Sequence, residues 1–228
     1  MKNYQTPGQQ NIWIEKVRRR ITEWGSKNLR DYPWRKTKNP YEILVAEFML
    51  HRTRAEQVKI KYDDFIKKYP DFASIVESGQ KNIRMEFQEL GLAWRSNSLY
   101  SLSEIVIKKY DGKLPLDKDI LLSLPGVGNY IALAVICFST GIPEPILDTN
   151  TVRIIGRIFN LKINDSSRRN MKFEKIMWKL VEQSDPEIFL FSMIDFGAKI
   201  CTSQKPKCGL CPVNDICCFT TKNGGKLK

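Results

Sequence analysis

Four cysteines near the end of the chain, Cys201, Cys208, Cys211 and Cys217, follow the spacing C-x6-C-x2-C-x5-C. Thiolates are metal ligands, and four this close suggest a metal loop rather than a disulfide framework. Tetrahedral sulfur suits zinc or an iron–sulfur cluster, and ligand type alone does not separate the two. Cys218 adjoins Cys217 as an extra thiol, and spacing alone assigns the ligand to Cys217. Cys137 lies in an apolar run and reads as core. A second chemical feature is the turn Leu124-Pro125-Gly126-Val127-Gly128-Asn129, with Asp148 following in LDTNTVR. Gly126 and Gly128 are expected to adopt backbone conformations closed to residues with a Cβ and to allow close approach of a partner. The helix that follows presents free N–H groups and a positive dipole end, which suit an anion such as phosphate. No side-chain charge lies between Leu124 and Ile142, so contacts there fall to the backbone.

These residues need helices to hold them. An apolar helical run ends at Leu124, and a second is expected from Asn129 to about Thr140. Upstream, Ile12, Trp13, Val17, Ile21 and Trp24 recur at helical spacing, predicting a helix from Ile12 to about Leu29 after a loose polar tip at residues 1–10. Arg18-Arg19-Arg20 on that helix could touch a polyanion or form a solvated face. Pro33 and Pro40 punctuate an extended link. Tyr41 to Tyr69 reads as two helices, with Glu47 on or beside an apolar face. An acid there either reaches out to water or sits in a pocket with a raised pKa. Two short helices before Gly91, a longer one to Tyr110, and an N-cap at Asp117 lead into the turn. Beyond Asp148 the pattern predicts a helix over Val152 to Phe159, a polar loop over 165–169, and helices over about 172–182 and 186–200. No period-2 alternation persists long enough for a strand. The expected class is all-α.

The 228 residues carry 37 Lys plus Arg against 25 Asp plus Glu, a formal charge of +12 that favours a polyanionic partner, either nucleic acid or an anionic membrane. No apolar run is long enough to span a bilayer, and the opening Met1-Lys2-Asn3-Tyr4 is not that of a signal peptide. The expectation is a cytoplasmic, soluble protein with no membrane partner.

Taken together, the LPGVGNYIA turn, Asp148 and the cysteine spacing resemble the helix-hairpin-helix DNA glycosylases of the endonuclease III and MutY superfamily, from about Trp24 to Cys217. The resemblance implies a two-lobed fold. A six-helix lobe would span 32–142, and a second lobe would combine residues 1–31 with 143–228, with base pocket and DNA between them. It implies a [4Fe–4S] cluster on Cys201, Cys208, Cys211 and Cys217, structural in role. It implies double-stranded DNA holding a mismatched or damaged base as partner, bound by a monomer.

Site roles carry over residue by residue. Asp148 falls on the family's essential aspartate, which would stabilise an oxocarbenium-like sugar and orient water. Glu47 would line the base pocket. His51-Arg52-Thr53 corresponds to the loop that fills the hole left by the flipped base, with Arg52 and Thr53 contacting DNA. Leu124, Gly126, Val127, Gly128 and Asn129 would form the phosphate-binding hairpin, and Lys207, with Lys199 and Lys205, would press on phosphates beside the cluster. Bifunctional members carry a lysine two residues after the second hairpin glycine; Tyr130 stands there, which implies hydrolysis without strand cleavage.

Two branches remain. The resemblance is closest to thymine-mismatch glycosylases, which remove thymine or uracil opposite guanine. MutY proteins usually carry Gln-Gln-Thr in the inserting loop and a further C-terminal domain, whereas His51-Arg52-Thr53 departs from that pattern. GIPEPILD before Asp148 is similar to MutY, so adenine removal from A:G or A:8-oxoguanine is the alternative. A non-catalytic binder of damaged DNA is the second.

Overall fold

A computed structural model describes residues 7–222. Among them are twelve α-helices and no strand. In chain order the helices are α1 (Pro7–Gly25), α2 (Pro40–Leu50), α3 (Ala55–Lys68), α4 (Phe72–Ser78), α5 (Gln80–Gln88), α6 (Ala93–Tyr110), α7 (Lys118–Ser123), α8 (Asn129–Thr140), α9 (Thr149–Phe159), α10 (Met171–Val181), α11 (Pro186–Lys199) and α12 (Cys218–Lys222). The chain forms two compact units: Asp31–Ile142 is one, and the chain up to Arg30 together with Pro143 onward is the other.

In the Asp31–Ile142 unit, α2 packs on α8, and α4 and α5 pack on α6. Both α2 and α8 are apolar almost all round, which is the pattern of a helix surrounded by protein. Leu44, Val45 and Phe48 of α2 and Ala132, Ala134 and Val135 of α8 are fully buried. Burying a leucine or phenylalanine side chain stabilises by about 1.5–3 kcal/mol, so this helix pair is the firm floor under the turn that precedes α8. Asn39 caps α2, with Pro40 at the first helical position, where its missing N–H costs nothing. Asp117 caps α7 by accepting from Ile120 N at 2.9 Å.

In the other unit, α1 packs on α10 and α11, and α9 packs on α11. α1 starts at Pro7 and stops at Gly25, whereas the apolar periodicity predicts Ile12 to Leu29. Proline is favourable in a first turn, so the polar residues 8–10 extend the helix despite contributing nothing to its apolar face. Of the loose tip expected over residues 1–10, residues 7–10 are helical, and residues 1–6 lie outside the described residues. At its last residue the helix lies close against α11: a Cβ on Gly25 would come within 1.7 Å of Ser192 Oγ. Arg18, Arg19 and Arg20 are engaged within this unit. Arg18 donates to Lys179 O and Gln183, Arg19 pairs with Glu23, and Arg20 reaches Pro212 O and Asp215. Asp195, fully buried, is paired with Arg30, whose Nε donates to Oδ1 and whose backbone N donates to Oδ2, both at 2.7 Å. A buried carboxylate without such donors would be strongly destabilising. Part of the loop expected over 165–169 closes as a 3₁₀ turn, Ser167–Arg169, because Asn164 accepts from Ser166 and Ser167.

Candidate functional site

The turn between α7 and α8 separates its two glycines. Gly126 sits at φ +79, the left-handed region, and a Cβ there would lie 2.7 Å from Ser98 Cβ and 3.0 Å from the Phe48 ring. Both backbone and packing demand glycine at 126. Gly128 does not follow the expectation: its φ of −98 and ψ of 175 are open to any residue, and nothing lies within 4 Å of its missing Cβ. It is the N-cap of α8 and offers no side chain to the helix's first N–H groups. Leu124 and Val127 are buried at 4% and 7% and anchor the turn from below, leaving backbone as what the turn offers outward. Asn129 is exposed and Tyr130 half-buried in the first turn of α8.

Glu47 is buried at 7% in the middle of α2. The structure adds a residue that periodicity did not single out, Arg95 of α6, buried at 6%. Its guanidinium lies 5.1 Å from the Phe48 ring centre and 5.2 Å from that of Trp94, and its Nη1 donates to Phe48 O at 3.5 Å. Burial pushes the Arg95 pKa down to about 10, the nearby Glu47 carboxylate supports its charge, and Arg52 opposes it. The only sequence signal was a basic residue beside apolar positions of α6, which exposed arginines share.

The loop after α2 carries Arg52 exposed and at φ +62. A left-handed conformation costs a non-glycine residue about 1–2 kcal/mol, so this loop holds local strain. Thr53 fastens it by donating from N to Leu50 O at 3.3 Å and from Oγ1 to Leu90 O at 3.5 Å. The His51 ring meets Trp94 edge-on at 5.6 Å, and Trp94 is 56% exposed.

Asp148, in the other unit, is the N-cap of α9 and forms a reciprocal capping box with Thr151. Its Oδ1 accepts from Thr151 N at 2.7 Å, and Oδ2 accepts from Asn150 Nδ2 at 2.9 Å. The side chain is half-buried. Asn150 is itself held: its Oδ1 accepts from Arg153 Nη2 at 2.8 Å, the same nitrogen that donates to Gly197 O at 2.8 Å. Arg153 Nε donates to Cys201 O at 2.8 Å. A continuous chain of hydrogen bonds thus runs from the Asp148 carboxylate to the first cysteine of the loop. A Cβ on Gly197 would lie 2.7 Å from Asn150 Cβ, so glycine is needed for α11 to admit this chain. Asn150, Arg153 and Gly197 were missed in the sequence, although the first two stand within five residues of Asp148 in LDTNTVR.

Cys201, Cys208, Cys211 and Cys217 line one cavity together with Arg157, Val213 and Phe219. Arg157 donates to the Thr202 and Ser203 carbonyls at 2.6 and 2.7 Å, contacts Cys201 Sγ at 3.4 Å, and stacks over Phe219. Trp13 donates to Ile216 O, fastening α1 to the loop. Burial pushes the Cys211 thiol up to about 12 and raises those of Cys208 and Cys217. Such a nest is poor for free thiolates and suits them once a metal core supplies positive charge. Among the described residues, no three His, Cys, Asp or Glu side chains converge on a single metal ion. An all-sulfur donor set around a shared cavity fits a thiolate-ligated metal centre. Lys207 and Lys205 are exposed, whereas Lys199 donates from Nζ to Asn28 O at 2.7 Å and is committed to its own chain.

Residues 201–217 match the iron–sulfur binding domain of endonuclease III. The fold and this loop define the class of iron–sulfur DNA glycosylases built on the endonuclease III architecture. The chain is 38% identical over 208 residues to a thymine/uracil-DNA glycosylase of Pyrobaculum aerophilum, covering 88% of each chain. It is 37% identical to a thymine-DNA glycosylase of Aeropyrum pernix, covering 90% of this chain and 95% of that one. A thermostable thymine-DNA glycosylase structure superposes with a TM-score of 0.88 at 33% identity, over 93% of this chain and 99% of that one. The chain belongs to the thymine/uracil-DNA glycosylase family.

Proposed function

We propose that this DNA glycosylase removes thymine or uracil mispaired with guanine, by hydrolysis of the N-glycosidic bond and without cleaving the strand. The observation that carries the reading is the double grip on Asp148, whose two carboxylate oxygens each accept a hydrogen bond from α9. A carboxylate fixed in this way can face a developing positive charge without reorganising.

The chemistry then follows from few groups. The target nucleotide leaves the stack, at a cost of roughly a few kcal/mol that is smaller in a mismatch. The C1′–N1 bond breaks with its electron pair passing to the base, leaving an oxocarbenium-like sugar. Asp148 stabilises that cation. Water adds at C1′, and its proton passes to the carboxylate. Glu47 accepts from the edge of the base. Tyr130 stands in the position of the lysine amine of bifunctional members, and a phenol does not form the imine that precedes strand cleavage.

Phosphates of the duplex would be met by the backbone of Gly126, Gly128 and Asn129 and by Arg52, Thr53 and Lys207. The cysteine loop would hold a [4Fe–4S] cluster. The spacing of the four cysteines and the match of residues 201–217 to an iron–sulfur binding domain support that assignment over zinc. Once bound, the cluster cross-links residues 201–217. We assign the protein to the DNA of the cytoplasm and read it as a monomer. No helix of the described residues is long and apolar enough to cross a membrane.

The test is base release from duplexes holding T:G, U:G, A:G or A:8-oxoguanine, each with and without alkali. Release from T:G and U:G, with breaks appearing only after alkali, is expected. Release from the adenine pairs alone would make the enzyme a MutY-type adenine glycosylase. Binding with no release from any pair would leave a damaged-DNA binder.

A further inference from the structure

We propose that the groove between α5 and α6 is a second nucleobase site, in which Trp94 stacks on the guanine left without its partner and Arg84 reads that guanine's edge. The choice of guanine rests on the proposed removal of thymine or uracil opposite it. The site itself rests on the residues that line the groove.

Spacing gathers these residues. Arg84 and Gln88 stand four apart on α5, and Trp94 and Asn97 three apart on α6, so each pair shares one helix face. With Gly91 and Ala93 they line one depression of about 530 Å³, a volume typical of small-molecule sites. Trp94 is more than half exposed, the most exposed of the five tryptophans, so its ring does not serve the core. It is held nonetheless. The Arg95 guanidinium lies 5.2 Å from its ring centre, and the His51 ring meets it edge-on at 5.6 Å. Arg95 is in turn fixed by the Phe48 carbonyl and ring. An indole that is both anchored and open is a stacking platform for any base. Its neighbours choose among bases. No acid lines the depression, and Arg84 offers the paired donors that fit the O6 and N7 acceptors of guanine. Adenine sets a donor beside N7 and meets a guanidinium poorly. Gln80 Nε2 donates to Asn97 Oδ1 at 3.3 Å, so the Asn97 amide adds its NH2 as a further donor. Among the lining residues only Ala93 and Trp94 have apolar side chains, too few to seat the apolar anchors of a protein partner.

The groove is also tied to the loop that carries Arg52. His51 touches Trp94, and Thr53 Oγ1 donates to Leu90 O, beside Gly91 at the edge of the depression. Arg52 thus stands between two residues fastened to the α5–α6 corner. A duplex whose phosphate meets Arg52 brings the bases beside that loop to the mouth of the groove. When the target nucleotide leaves the stack, the guanine opposite loses its pairing. Trp94 then supplies a stacking neighbour, and Arg84 engages the guanine edge.

The test is the binding of duplexes that hold no base to excise. The probes carry a reduced abasic site opposite guanine, opposite adenine, or opposite a second abasic site, which leaves nothing to stack. The wild type is expected to bind the guanine duplex most tightly. Trp94→Ala is expected to weaken affinity by about fivefold or more for the guanine and adenine duplexes and by less than about twofold for the doubly abasic one, because stacking tolerates either base. Arg84→Met is expected to weaken the guanine duplex by about fivefold or more and the adenine duplex by less than about twofold. Equal losses on all three duplexes, or no loss on any, would overturn the inference. Should Trp94→Ala fail to fold, Arg84→Met at its exposed position decides, and an undiminished preference for guanine overturns the inference. A wild type that releases neither uracil nor thymine from its guanine pairs overturns the proposed specificity, while these affinities, which need no excision, still judge the groove. An active wild type with losses blind to the opposite base overturns the inference alone.

Discussion

Two helices in this chain begin in opposite ways. α8 opens at Gly128 with no side chain to satisfy its first N–H groups. α9 opens at Asp148, whose carboxylate takes one of those donors in a reciprocal box with Thr151. Both ends carry the same partial positive charge. The first has no side-chain acceptor, and on the proposed function a phosphate would take that place. The second uses it to orient a negative charge belonging to the protein. On the proposed function, one helix end would receive a phosphate and the other would present a carboxylate, and a single side chain at the cap makes the difference.

Asp148→Asn should break this contrast most. Asparagine caps a helix about as well as aspartate, so α9 keeps its start while the charge is lost. Base release from T:G and U:G is expected to fall by about 10² to 10⁴-fold with the melting temperature and duplex affinity little changed. Affinity falling in step with release would mean that the residue only shapes the site. Arg153→Ala attacks the support of the same end. With the Arg153 donors to Asn150, Gly197 and Cys201 gone, Asp148 keeps its cap but loses the grip behind Asn150. Single-turnover release should drop by about tenfold or more, because small misplacement of a reacting group is costly.

Gly128→Asp gives α8 the closed start of α9. The added carboxylate caps the helix and repels phosphate. Duplex affinity at low salt should weaken by about tenfold, while thermal stability holds or rises by about 0.5–1 kcal/mol. If the native protein neutralises about four to six phosphates, log K falls with log[salt] at a slope of about −4 to −5, and the variant's slope should be shallower by about one. An unchanged slope would mean that no phosphate meets this helix end. The two glycines of the turn sharpen the point at the smallest scale. Gly126→Ala forces a left-handed alanine against Ser98 and Phe48 and should cost about 1–3 kcal/mol in denaturant unfolding. Gly128→Ala should cost less than about 0.5 kcal/mol and weaken DNA binding instead.

Much of the architecture was legible because it is local. Helical spacing marked α2, α3, α6 and α8, since an apolar stripe is written every three or four residues. Asp117 was readable as a cap for the same reason. Where reading failed, a neighbour from elsewhere intervened. α1 stops at Gly25, which packs against Ser192 of α11, and no spacing rule sees Ser192. Gly128 looked like a conformational glycine from its GxG setting, yet its backbone is ordinary and its value is the open space above it. Lys199, which the resemblance placed among the lysines flanking the cysteines, also donates to Asn28 O, a carbonyl that its position in the sequence does not reveal.

The sequence by itself determined the chemical inventory: four closely spaced thiols, a glycine turn without charge, an aspartate shortly after the helix that follows it, and tyrosine where bifunctional members of the resembled family carry lysine. Each is specified by residue type and by separations of a few positions, which the covalent chain sets directly. Tertiary structure alone decided how those groups are held. It brought Arg95 of α6 onto Phe48 of α2, and Gly197 of α11 against Asn150, so that one line of hydrogen bonds joins Asp148 to Cys201. Such pairings depend on which apolar faces bury one another, a property of the whole packed core and not of any one stretch of chain.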